Sequence, residues 1–75
     1  MNNTRRKQIQ KCLDVLKEVQ ADLVLILSDE QDSYDSIPEN LQYSMRAEES
    51  QDAIDTLDDA LDNLGNAIDN LEDII

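Results

Sequence analysis

The chain has 75 residues, a formal net charge of −12, no histidine and a single cysteine, Cys12. Its length allows one small domain, which buries so little apolar surface that oligomerisation or a very regular helical core is usually needed for stability. The missing histidine and the lone thiol exclude a metal cluster, a disulfide scaffold and cysteine-based catalysis. The negative charge disfavours direct binding of nucleic acid, because Lys and Arg bind phosphates. We therefore expect neither a cofactor nor a metal ion.

The sequence predicts a first helix over about residues 5–34, with Thr4 as its N-cap. No continuous apolar run follows the basic start, residues 1–7, so we expect no signal peptide, no membrane span and a cytoplasmic location. Apolar side chains recur along this helix at alternating steps of three and four residues, the spacing of a coiled-coil seam. The predicted seam consists of Ile9, Cys12, Leu16, Val19, Leu23 and Ile26.

The second half of this helix carries more apolar side chains than one seam needs, because residues 23–27 are all aliphatic. A single partner helix cannot cover them all. The surplus is expected to form a self-association flank of Leu13, Val24, Leu27 and Tyr34. Such a hairpin is predicted either to dimerise into a four-helix bundle or to dock on another protein.

The turn region is expected over about residues 35–45. Pro38 disfavours helical geometry at the residue before it and suits the first turn of a short helix. Ser36 and Glu39 have the spacing of a capping box for that turn. Two apolar side chains are expected to cover the open end of the core: Ile37 and Leu41.

A second helix is predicted over about residues 46–75, with a seam of Ile54, Leu57, Leu61, Leu64, Ile68, Leu71 and Ile75. If the chain doubles back near Asn40, the seams meet in pairs whose residue numbers sum to eighty: Ile9–Leu71, Cys12–Ile68, Leu16–Leu64, Val19–Leu61, Leu23–Leu57 and Ile26–Ile54. A ridge beside the second seam forms the other flank: Ala53, Ala60, Ala67 and Ile74. The predicted fold is thus all-α, an antiparallel two-helix hairpin of coiled-coil type, a single domain over residues 1–75 that dimerises.

The charges agree with this arrangement, since five of the six cations lie in the first half of the first helix. An antiparallel fold sets that half beside the acidic end of the second helix, which carries Asp62, Asp69, Glu72 and Asp73.

The turn region contains the motif Pro-Glu-Asn-Leu-Gln, residues 38–42, followed by an Ala/Leu/Asp heptad helix. Over about the last 45 residues, this combination resembles small acidic helical proteins found in phages and prophages of Gram-positive bacteria. The resemblance implies a phage or mobile-element context and a bacterial host cell, and it implies no particular activity.

The face of the second helix away from its seam is predicted to be acidic, with Asp52, Asp55, Asp58, Asp59, Asp62, Asp69 and Asp73. Like charges four residues apart cost roughly 0.2–0.5 kcal/mol each, and aspartate is a poorer helix former than glutamate. We therefore hypothesise that the aspartates imitate nucleic-acid phosphates and occupy the basic groove of a host nucleic-acid-binding protein. The chain would then be an anti-defence inhibitor of the anti-CRISPR or anti-restriction type.

The alternative is a non-catalytic interaction or assembly module that binds through its apolar flank. A third interpretation is that the acidic residues only keep a coiled-coil surface solvated. An enzyme is the weakest alternative, because a two-helix rod offers no pocket in which the pKa of a carboxyl could be shifted. We predict a protein that is not an enzyme.

Overall fold

The computed structural model describes all 75 residues and consists of two long α-helices joined by a short turn region. Helix α1 spans Asn3–Asp35, a single 3₁₀ turn spans Glu39–Leu41, and helix α2 spans Met45–Ile74. The helices pack against each other along their length, and there are no strands. The predicted all-α helical hairpin is confirmed, and the helix ends lie within two residues of their expected positions.

Helix α1 begins earlier than predicted because its N-cap is Asn2 and not Thr4. The Asn2 side-chain oxygen Oδ1 accepts a hydrogen bond from the backbone N–H of Arg5 at 2.8 Å. Asparagine is among the strongest N-caps, since its side chain satisfies an N–H that has no partner in the first helical turn.

Ser36 closes α1 instead of starting the next turn. Its hydroxyl donates a hydrogen bond to the backbone carbonyl of Asp32 at 2.8 Å, and the 3₁₀ turn that follows has no side-chain cap. The predicted capping box of Ser36 with Glu39 is therefore wrong. Of the two side chains expected over the open end of the core, Ile37 is half-buried, whereas Leu41 is exposed.

Helix α2 has its own start signal, as the predicted break before it requires. Ser44 is the N-cap, and its hydroxyl oxygen accepts a hydrogen bond from the backbone N–H of Ala47 at 3.3 Å. Ala47 is buried, so the cap anchors the first turn of α2 at the edge of the core.

The seam of α2 is the predicted one. Its buried or half-buried apolar side chains are Ala47, Ile54, Leu57, Leu61, Leu64, Ile68 and Leu71. Within the predicted set, only Ile75, at the C-terminal end of the helix, is exposed.

The seam of α1 is rotated relative to the prediction, so half of the predicted set is wrong. Ile9, Leu16 and Leu23 are half-buried, whereas Cys12, Val19 and Ile26 are exposed. The seam instead contains the residue directly after each exposed one: Leu13, Gln20 and Leu27. Toward the turn it continues at the same spacing with Glu30 and Tyr34.

The sequence of α1 allows two helical frames, that is, two sets of residues that could face α2. The aliphatic run at residues 23–27 is compatible with both frames. The observed frame buries Leu13 completely, at 0% exposure, and extends the three-four spacing as far as Tyr34. In the competing frame, the seam would contain Cys12 in place of Leu13 and Ser33 in place of Tyr34. Larger apolar side chains gain more from leaving water, which favours the observed frame.

The observed frame also places the polar Gln20 at the seam, opposite Gly65. A Cβ atom added at Gly65 would lie 3.9 Å from the side-chain nitrogen Nε2 of Gln20. The glycine thus leaves room for a long polar side chain between the helices.

Gly65→Ala is expected to raise the free energy of unfolding by about 0.5–1 kcal/mol, because alanine loses less backbone entropy in a helix. The backbone of Gly65 has no positive φ, and the added methyl would make an ordinary van der Waals contact with Gln20. Urea unfolding followed by circular dichroism measures the change. A lower unfolding midpoint would contradict the expectation.

Two side-chain interactions join the helices. The hydroxyl of Ser50 donates to the carboxylate Oε1 of Glu30 at 2.7 Å, and these residue numbers sum to eighty. Lys17 Nζ lies 3.3 Å from Glu72 Oε1 in a half-exposed salt bridge, which contributes about 0–1 kcal/mol. Glu30 is half-buried at the seam, where its carboxylate is held by the Ser50 hydroxyl.

The hairpin is a rod only one helix pair thick. Its principal extents are 59 × 15 × 13 Å, and its radius of gyration of 17.2 Å exceeds the roughly 11 Å of a compact globule of this length. Only four residues are buried: Leu13, Ala47, Ile54 and Ile68. Both long edges of the rod are therefore open to solvent.

Candidate interaction surfaces

The seam determines which residues lie on each long edge of the rod. With 3.6 residues per turn, the residue before a seam position turns toward one edge and the residue after it toward the other. In an antiparallel pair, the residues that follow seam positions share one edge. Lys17 follows Leu16 and Glu72 follows Leu71, and the salt bridge between Lys17 and Glu72 joins the helices along this edge.

The edge with the salt bridge is acidic. All seven predicted aspartates of α2 are exposed, and together they form what we call the acidic face: Asp52, Asp55, Asp58, Asp59, Asp62, Asp69 and Asp73. Asp55, Asp58, Asp62 and Asp69 follow seam residues, whereas the other three extend the face around the outside of α2. Gln51 donates a side-chain hydrogen bond to Asp55 at 2.9 Å. No member of the face belongs to the single salt bridge of the molecule, so its charge is not neutralised.

Charge is also distributed unevenly along the rod. We call residues 21–60 the turn half and residues 1–20 with 61–75 the terminal half. The turn half holds 12 of the 18 acidic residues but only one of the six cations, Arg46, so its formal charge is −11. The terminal half, which holds the other five cations, has a formal charge of −1.

The self-association flank expected on α1 does not exist as one surface. Leu13 is fully buried between the helices, and Leu27 and Tyr34 are half-buried at the seam. Val24 alone is open, at 50% exposure, and it follows seam residue Leu23 on the acidic edge. The prediction failed for these residues because the helix is rotated toward Leu13 and Leu27.

The opposite edge is apolar on both helices: its α2 part is the ridge expected from the sequence, whereas its α1 part was not predicted. We call it the apolar edge: Cys12, Val15, Val19, Ile26, Ala53, Ala60, Ala67 and Ile74. Each of the first seven directly precedes a seam residue, and all eight are exposed. The sequence did contain a signal for this edge. The aliphatic side chains of α1 fit two helical frames, and only one frame can pack against α2, so the side chains of the other frame must stay exposed.

A groove with a volume of about 540 Å³ lies at the turn end. Its lining is mostly polar and includes Glu30, Arg46, Glu49 and Ser50. Because the Ser50 hydroxyl is bonded to Glu30, this pair holds the helices in register at the open end. No group of three or more Cys, His, Asp or Glu side chains is arranged to hold a metal ion.

No protein family, curated protein or solved structure matches the chain. Neither helix contains a stretch that is both long enough and apolar enough to cross a membrane. The functional interpretation therefore depends on the two edges of the rod.

Proposed function

We propose that this chain is a non-catalytic inhibitor, encoded by a phage or mobile element, that uses its acidic face as a phosphate mimic. Its target would be a host nucleic-acid-binding protein with a basic groove, such as a CRISPR or restriction nuclease in the bacterial cytoplasm. The observation that carries the proposal is the concentration of unneutralised carboxylates in one half of a thin rod.

The density of that charge is comparable with the density in nucleic acid. A net charge of −11 over half of a 59 Å rod is roughly one charge per 2.7 Å, between the values of about 3.4 Å for one DNA strand and about 1.7 Å for the duplex. A groove that binds nucleic acid would therefore meet a similar linear charge.

Eight of the twelve acidic side chains in the turn half are the short aspartates. Aspartate keeps its carboxylate close to the helix, so the positions of these charges follow the helix geometry. The arrangement has a cost, because Asp55 with Asp59 and Asp58 with Asp62 each repel by roughly 0.2–0.5 kcal/mol. A helix selected only for solubility would gain stability from alternating Glu and Lys.

The test is competition between this protein and DNA. A panel of restriction and CRISPR nucleases, each bound to a fluorescent DNA duplex, is titrated with the protein at 50 mM and at 200 mM salt. We expect displacement of the duplex from at least one nuclease at the lower salt, and an affinity at least about tenfold lower at the higher salt, because salt screens exposed charges. No displacement from any nuclease at 50 mM salt would reject the proposal.

A second candidate function, favoured by the apolar edge, is an interaction or assembly module. Binding through Val19 and Ile26 would survive moderate salt, since apolar association does not depend on charge screening. Substitutions on the acidic face would leave it unchanged. The same salt series therefore separates the two functions.

A further inference from the structure

We propose that the apolar edge binds a second copy of the chain, with the two hairpins lying head to tail. The isolated hairpin buries only four of its 75 residues, and α1 leaves Val15, Val19 and Ile26 between 41% and 57% exposed on this edge. A second hairpin packed on this edge would cover these side chains and produce a four-helix bundle. This inference is independent of phosphate mimicry, because it uses the opposite edge.

The area of this side of the rod suits a dimer. The whole side of the rod, 59 Å long and 15 Å wide, offers roughly 900 Å² per protomer, of which the apolar edge is one part, and stable interfaces bury about 1,200–2,000 Å² in total. The two helices contribute different apolar side chains to this edge. The three alanines of α2 let a facing helix come close, whereas the valines and Ile26 of α1 supply apolar bulk.

The distribution of charge selects the head-to-tail orientation. In a head-to-head dimer, two turn halves, each with a charge of −11, would lie side by side. In the head-to-tail dimer, each turn half lies beside a terminal half that carries five cations and a formal charge of −1. Repulsion between like charges is therefore much weaker in the head-to-tail dimer, and such repulsion suppresses the head-to-head arrangement.

The orientation determines which residues meet. A twofold axis crosses the middle of the edge near Val19, and α1 packs on α1 of the second copy, antiparallel to it. Cys12 then lies opposite the partner's Ile26. The two Cys12 residues are 14 positions apart along the paired helices, or roughly 21 Å at 1.5 Å per residue. In a head-to-head dimer α1 would instead face α2 of the second copy, with Cys12 near the partner's Ala67.

The first test is the mass in solution, measured by sedimentation equilibrium over a micromolar concentration series. The expected mass is twice 8.5 kDa. Val19→Asp should weaken the dimer by at least about 100-fold, because it would bury a charge in an apolar interface. Val24→Asp is the matched control: Val24 has similar exposure on the same helix, 50% against 41% for Val19, but lies on the acidic edge. It should leave the dimer intact.

The second test identifies the orientation by disulfide formation under mild oxidation. The wild-type dimer should not crosslink, because a disulfide needs Cα atoms about 4.4–6.8 Å apart. Ile26→Cys should give a covalent dimer through Cys12 and the partner's Cys at position 26, whereas Ala67→Cys should not. Crosslinking by Ala67→Cys alone would overturn the head-to-tail arrangement. A monomer at every concentration, or a dimer unaffected by Val19→Asp, would overturn the use of this edge by a second copy.

Discussion

Replacing Leu13 with alanine is expected to lower the free energy of unfolding by about 3 kcal/mol, within the range for leucine truncation in a packed core. Leu13 is the one large side chain that is completely buried, at 0% exposure. A domain of this size has a total stability of only about 4–11 kcal/mol, so the loss is a large part of it. Urea unfolding at fixed protein concentration, followed by circular dichroism, measures the difference.

The adjacent residue provides the control. Cys12→Ala should change the unfolding free energy far less than Leu13→Ala, because Cys12 is exposed in the hairpin and only the proposed second copy would cover it. The comparison separates the two helical frames of α1. A large effect at Cys12 with a small one at Leu13 would mean that α1 turns the other frame toward α2.

Neutralising four carboxylates of the acidic face is expected to weaken binding to a basic target by about 100-fold. The variant combines Asp55→Asn, Asp58→Asn, Asp59→Asn and Asp62→Asn. Each exposed pair contributes about 0–1 kcal/mol, so four lost pairs amount to roughly 2–3 kcal/mol. The hairpin itself should become slightly more stable, because the repulsion between carboxylates four residues apart is relieved. Loss of binding could then not be attributed to unfolding.

A second variant with the same change in net charge tests whether the location of the charge matters. Glu18→Gln, Asp22→Asn, Asp29→Asn and Asp32→Asn together remove four exposed carboxylates from the part of α1 that lies away from the acidic face. This variant should retain the affinity of the wild type to within about fivefold, since screening limits interactions beyond about 8–10 Å. Equal losses in both variants would show that only the total charge matters, and the proposed acidic face would be wrong.

The helical hairpin, the position of the turn and the seam of α2 could all be predicted from the sequence. In α2 the neighbours of the large seam side chains as far as Leu71 are polar residues, alanine or glycine, so only one helical phase carries large apolar side chains. The pairing of Glu30 with Ser50 has the predicted register, because the single turn region near Asn40 and the lengths of the two seams leave little freedom. The exposure of the seven aspartates follows from the same clean periodicity.

The phase of α1 could not be predicted in the same way. Its aliphatic run at residues 23–27 supports two frames that share Ile9, Leu16 and Leu23. The choice between them depends on packing against α2, where Gly65 makes room for Gln20 and the seam closes over Leu13. The spacing of apolar residues along α1 does not by itself distinguish the two frames.

The sequence by itself determined the hairpin and the acidic face, because both follow from regular spacing along one helix. Only the tertiary structure decided which aliphatic side chains of α1 remain exposed, and it placed Cys12, Val19 and Ile26 on the same edge as the alanines of α2. That edge exists only when two helices are rotated relative to each other. The rotation is set by side-chain volumes on both helices at once, and neither helix contains that information alone.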